Sequence, residues 1–255
     1  MLTMPAPSAD AQSISARRGS IDRIGVRVLD EMVEMIVTGT VAVGEYLPPE
    51  QALCEEFGVS RTVIRECIKR LQEKGLVVVA QGRGTQVRRF DDWNVLDADV
   101  LDALVRHDES LGVLDEVSVV RATLEGVMAA EVAATGSEDS HLEIGGHLDD
   151  MRRLQDDDPA FFEADMEFHL AVMAASKNRI AATIARSSFV RPRQSARGDG
   201  IDPTDAVART LEEHERVFEA IRAGDAAGAR VAMEEHILGS WRRRRHPDGA
   251  HHLSP

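Results

Sequence analysis

The chain has 255 residues and a formal net charge of −14, and at about 150 residues per domain it makes one or two domains with room for a core. Only 4% of residues are aromatic, and the abundance of small apolar residues, Glu and Arg favours helix over sheet. No apolar run nears the roughly 20 residues that cross a bilayer, and Met1–Ser20 lacks a signal-peptide core. Cys54 and Cys67 form neither a disulfide framework nor a CxxC pair, which fits a reducing cytoplasm. The total charge has the wrong sign for a phosphate binder and, taken alone, argues against nucleic acid.

The charge is unevenly placed. Residues 1–19 balance at +1, residues 20–90 at zero and residues 91–255 at −15. From Phe57 to Arg89 there are eight basic residues against two acidic ones, a balance of +6. Two domains with different partners are expected.

Residues 1–19 are Ala/Ser/Pro/Gln-rich and read as a disordered arm. Ile24, Val28, Met32 and Ile36 recur at helical spacing and predict a helix that ends at Thr38-Gly39. Pro48 and Pro49 favour a helix start at Glu50, and that helix breaks at Gly58. Ser60 is a good N-cap for the next helix, which places Val63, Ile64, Cys67, Ile68 and Leu71 on one face and stops at Gly75. Val77–Val79 and Thr85–Val87 then read as two strands about a Gly82-Arg83-Gly84 turn. Helix, helix, turn, helix and hairpin make a winged helix-turn-helix over residues 20–90. Its recognition helix projects Ser60, Arg61, Thr62, Arg65 and Lys69, and its wing carries Arg83. A charge run by itself reads as a solvated face, but cap, turn, basic face and glycine wing agree on one topology.

Leu47-Pro48-Pro49-Glu50, Phe57-Gly58-Val59-Ser60-Arg61-Thr62-Val63-Ile64-Arg65-Glu66 and Gly82-Arg83-Gly84-Thr85 resemble the N-terminal domain of GntR-family transcriptional regulators. The resemblance implies that Arg61 and Arg65 read guanines or phosphates. It also implies that Ser60 and Thr62 hold the DNA backbone and that Gly82 to Gly84 touch the minor groove. Many relatives carry Arg after the motif's Glu, where this chain has Gln51, a residue still able to hydrogen-bond a base edge or phosphate. They usually have Ala where this chain has Cys67, expected to be a small packed residue.

Residues 91–97 read as a linker, and residues 98–245 as an all-α bundle of about seven helices, with a loop at 191–203 and a tail at 246–255. The whole is mainly α. Trp93-Asn94-Val95-Leu96-Asp97 resembles the linker of sugar-acid-responsive members of the FadR subfamily. Asp165 and His169 stand four apart on one helix, hence on one face. His214 and His236 are 22 residues apart about Gly224-Asp225, so an antiparallel hairpin with equal arms brings them level. One carboxylate and three imidazoles then suit one divalent ion such as zinc, nickel or manganese. Taken singly, each His reads as an ordinary surface or core residue. The segments resemble the FCD ligand-binding domain, which in many members holds a metal through an Asp and three His in this order.

That resemblance implies a small carboxylate effector, a sugar acid for this linker type, at the metal's open site. It offers Arg121 to fork onto the carboxylate and Asn178 as a pocket polar group. Arg121 could equally pair with Glu125, and Asn178 could cap the helix at Arg179. His107, His141 and His147 read as solvated, and so does the Arg242 to Arg245 run. The resulting expectation is a cytoplasmic homodimeric repressor of palindromic operator DNA, released by its effector and not an enzyme. A regulator signalled by the metal alone, or a metal-dependent enzyme fused to a DNA-binding domain, is the alternative.

Overall fold

Apolar side chains at helical spacing bury one face of α1 (24–37): Val28, Met32 and Ile36 are buried, while Ile24 at its start is exposed. The computed structural model describes residues 24–80, 82–108, 112–195 and 205–245. The predicted arm, the tail with its three histidines, and most of the predicted 191–203 loop lie outside them. The chain divides into two units after His107.

In the first unit α1 is followed by α2 (Glu50–Phe57) and α3 (Arg61–Glu73). Gly58 takes a left-handed conformation at the end of α2, and the Ser60 hydroxyl accepts from the Val63 amide to open α3. Ile64, Cys67, Ile68 and Leu71 form the buried stripe of α3, leaving its other face to solvent. The wing is an antiparallel pair, β1 (Val77–Ala80) and β2 (Gly84–Val87), in register Val77↔Val87. Leu47 and Thr85 add a further backbone hydrogen bond along its edge.

The segment after the wing is fastened to the end of α3. The Asn94 amide donates to the Lys74 carbonyl, and the Trp93 indole to the Arg88 carbonyl. Gly75 has φ +75, and a Cβ there would stand 2.3 Å from the Asp92 carbonyl oxygen, so both conformation and close approach demand glycine. Lys74 is buried and donates to Asp97 Oδ1 at 2.6 Å and Asp99 Oδ2 at 2.8 Å. Asp97 also caps α4 (Ala98–Arg106). Val100 and Ala103 of α4 enter the core that holds Met32, Leu53 and Leu71. The sequence assigned residues 98–106 to the helical domain, whereas α4 packs with the winged unit.

The second unit is entirely helical among its described residues: α5 (Gly112–Thr135), α6 (Glu138–Arg153), α7 (Asp158–Ala175), α8 (Arg179–Ser195), α9 (Ala206–Arg222) and α10 (Ala226–Arg245). Helix α5 packs on α7, α8, α9 and α10. Small residues Ala122, Ala129 and Ala133 let these neighbours approach. Two sequence expectations change. Helix α8 continues through Pro192 to Ser195, where the sequence placed a loop from Arg191; nothing in the structure accounts for a proline so far from the first turn. His141 is half-buried, with its Nε2 shielded from water, rather than solvated. No described helix is long and apolar enough to cross a membrane.

Candidate functional site

Three helices of the second unit bring four predicted residues together. Asp165 and His169 come from adjacent turns of α7, His214 from α9 and His236 from α10. All four are buried, and one ligand atom from each lies within 4.8 Å of the others. The α9–α10 hairpin does what its equal arms require, setting the His214 and His236 ring centroids 4.2 Å apart. The Nε2 atoms of His169 and His236 are 3.2 Å apart, and His214 Nε2 is 3.2 Å from Asp165 Oδ1.

Each ring turns its other nitrogen outward to an acceptor. His169 Nδ1 meets Glu125 Oε2 at 2.5 Å, His214 Nδ1 the Thr210 carbonyl at 2.7 Å, and His236 Nδ1 Glu213 Oε2 at 2.9 Å. Burial pushes the Glu125 carboxyl up, but Arg121 and His169 outweigh it and hold it at about 2. Burial likewise raises Glu213, and hydrogen bonds from His236 and Arg243 outweigh it, again to about 2. Both carboxylates are therefore ionised acceptors, and the Nδ1 atoms facing them are donors. Burial drives His236 down to about 3, with His214 adding to the effect and Glu213 opposing it. Burial also lowers His169, against the pull of Glu125.

Each ring thus turns its Nε2 into one small volume, and on His169 and His236, whose burial disfavours the charged form, that nitrogen carries no proton. Two such nitrogens at 3.2 Å cannot hydrogen-bond each other, and His214 Nε2 makes no hydrogen bond although it is fully buried. A cation at their centre would satisfy all of them. Outer carboxylate or carbonyl partners on metal-ligating histidines are the usual companion of such sites. The donor set of three imidazole nitrogens and one carboxylate fits a borderline divalent ion.

The two residues offered for an effector differ in place. Arg121 is 16% exposed and donates to Glu125 Oε1 at 2.9 Å, so it touches the cluster through the carboxylate that holds His169. Asn178 accepts from the Ala181 amide at 3.2 Å, the helix cap considered as its other reading.

On the first unit Gln51, Ser60, Arg61, Thr62, Arg65, Lys69, Gly82, Arg83 and Gly84 are all exposed. Two are tied to the preceding helix: Arg61 donates to Gln51 Oε1 at 2.6 Å, and Arg65 Nε to Glu50 Oε2 at 2.9 Å. Gln51 therefore joins the recognition helix face by holding one of its arginines.

Comparison with known proteins decides the family. Residues 25–87 match the gntR family of bacterial regulatory proteins, and residues 116–239 match the FCD domain. The galactonate operon transcriptional repressor of Escherichia coli is 33% identical over 85% of this chain and 95% of its own length. The transcriptional regulator LutR of Bacillus subtilis is 34% identical over 80% and 93%. The chain belongs to the GntR family. The fold agrees with a solved structure of Lar, described as controlling expression of the Listeria monocytogenes agr system, at a TM-score of 0.55 and 20% identity over 86% of this chain and 96% of that one. As a GntR-family protein with an FCD domain it is a transcriptional regulator with a DNA-binding and a ligand-binding part, and its named relatives are regulators rather than enzymes.

Sequence reasoning about this GntR regulator missed the outer partners. Glu125 appeared only as a salt-bridge partner for Arg121, and Glu213 went unnoticed beside His214. Arg243, read as part of a solvated charge run, instead forks onto Glu213. The spacing Arg121-x-x-x-Glu125 was the one available signal.

The lowered pKa values of His236, Glu125 and Glu213 make acid sensitivity the expectation for the metal-free regulator. The folded-state pKa of His236 lies far below its ordinary value of 6.5, so unfolding takes up a proton below about pH 6.5. Its stabilising contribution is present above that pH and lost as the pH falls toward 3. Glu125 and Glu213, depressed from 4.5 to about 2, act in the same direction below about pH 4.5. Urea unfolding of the metal-free protein at pH 7.5, 6.0 and 5.0 is expected to show falling stability. A rise on acidification would contradict this assignment.

Proposed function

We propose that this regulator is a cytoplasmic homodimeric repressor that holds one divalent ion, most simply zinc, through Asp165, His169, His214 and His236. A small hydroxycarboxylate bound beside that ion is the signal. The observation that carries the reading is the convergence of three histidines whose Nδ1 atoms are engaged outward while their Nε2 atoms crowd one buried point. The ion would act as a Lewis acid for the effector's carboxylate, and Arg121 is the nearby cation that can fork onto an anionic oxygen pair. On the first unit, Gln51, Ser60, Arg61, Thr62, Arg65 and Lys69 face the major groove, with Gly82, Arg83 and Gly84 at the groove wall. Two copies meeting two half-sites about one turn of DNA apart would call for a palindromic operator. Asn178 has its carbonyl committed to the α8 cap, and its remaining amide group is the part available to an effector.

The relatives supply the probes: one is named for a galactonate operon and another for an L-lactate dehydrogenase operon. Zinc-loaded protein is mixed with an operator fragment recovered by selection from random DNA, and galactonate and L-lactate are titrated in. Release of DNA, by a factor in the roughly 5–150-fold range usual for such coupling, is the expected result. Operator affinity that follows zinc concentration and ignores every hydroxycarboxylate would replace the effector reading with metal sensing.

A further inference from the structure

We infer that Glu213 and Arg243 are a positioning pair for the metal centre: together they fix the ring of His236 and so set the affinity of the site for its ion. The inference rests on the metal reading above.

Glu213 precedes His214 on α9 but serves His236 on the facing helix. Its Oε2 accepts from His236 Nδ1 at 2.9 Å and from Arg243 Nη2 at 2.8 Å, and its Oε1 accepts from Arg243 Nη1 at 2.7 Å. The guanidinium holds both oxygens, so the plane of the carboxylate is set, and with it the direction from which His236 is gripped. A carboxylate so placed also fixes the tautomer that leaves Nε2 for an ion and makes that nitrogen a better donor.

The last turn of α10 is built for this. A Cβ at Gly239 would lie 3.2 Å from Arg243 Nη1, so glycine clears the path along which the guanidinium folds back. The Trp241 indole donates to Asp115 Oδ1 at 2.6 Å and anchors the same turn to α5. Arg243 lies beyond residue 239, where the FCD match ends.

The two charged outer partners are held differently: Arg121 donates to Glu125 through Nε, whereas Arg243 forks onto both oxygens of Glu213 through Nη1 and Nη2.

The test is zinc affinity, measured on the full chain by competition with a chromophoric chelator. Glu213→Gln and Arg243→Met each keep all four ligands and are expected to weaken zinc about 10–100-fold. Arg243→Lys, a point charge that cannot fork, falls between them and the parent protein. Arg242→Met, at an exposed position on the same turn, serves as the control and stays within twofold. Truncation after Arg242, which keeps the Trp241 anchor to Asp115, is expected to weaken zinc as Arg243→Met does and gives a second route should one point variant fail to fold. Helical circular dichroism of each metal-free variant separates loss of fold from loss of affinity. Zinc affinity within twofold of the parent in folded Glu213→Gln and Arg243→Met overturns the pair. A parent protein that binds no zinc, nickel or manganese overturns the metal reading itself, and the pair with it.

Discussion

The His214→Ala, His236→Ala double variant is expected to lose its divalent ion and, with it, all metal-dependent stabilisation. A ligand that binds only the folded state adds RT ln(1 + [L]/Kd), about 2.7 kcal/mol at a hundredfold excess over Kd. The parent protein therefore melts markedly higher with zinc than after dialysis against a chelator, whereas the two melts of the variant coincide. The effect is large because the variant removes two of four donors at once, and those that remain, Asp165 and His169, sit on a single helix. Elemental analysis of the two purified proteins gives the direct readout. Equal metal content would sink the assignment. The variant also separates the two parts of the molecule, because α3 belongs to the other unit and packs in that unit's own core.

Arg65→Ala is expected to weaken operator binding by about 1–3 kcal/mol, roughly 5–150-fold, with little change in folding stability. The side chain is exposed, and among the described residues it pairs with Glu50 at the start of α2. That ion pair is solvated and contributes little to stability. It holds the guanidinium beside the exposed face of α3. If Arg65 contacts phosphate, the loss is uniform across sequences and the salt slope falls by about 1; if it reads a guanine, discrimination relaxes at one base pair. Unchanged affinity would refute α3 as the recognition helix. Arg61→Ala acts in the same sense, and Gln51→Ala more weakly, since it removes the tether rather than the cation.

Much of this was legible in the residues. The winged unit announced itself because each of its signals is local: a Ser60 cap, a Gly58 break, an apolar stripe at 64, 67, 68 and 71, and a glycine turn. The four clustered residues were readable because a helix converts i, i+4 into one face, a symmetric hairpin converts equal arms into equal height, and above all because the segments resemble the FCD domain, which in many members uses an Asp and three His in this order. The outer partners were not readable in that way. Glu212, Glu213 and Glu215 all flank His214, and only the rotation of α9 against α10 selects the second of them for His236. Arg243 looked like one member of a four-arginine run until the packing of Gly239 showed where its side chain goes. The allegiance of α4 was hidden for a similar reason: its partner, Lys74, lies 23 residues before Asp97, and no local periodicity reports a contact of that range. The total charge misled for a simpler reason, since −14 averages a basic recognition surface with a far more acidic remainder.

The Lys74 clamp bears on how such regulators can be taken apart and recombined. A head cut from this chain after Leu96 and kept on its own would leave the buried Lys74 without Asp97 and Asp99. It would also strip Val100 and Ala103 from the core they complete. The movable module is the head together with α4, ending at His107, and its seam falls where the chain leaves the clamp behind.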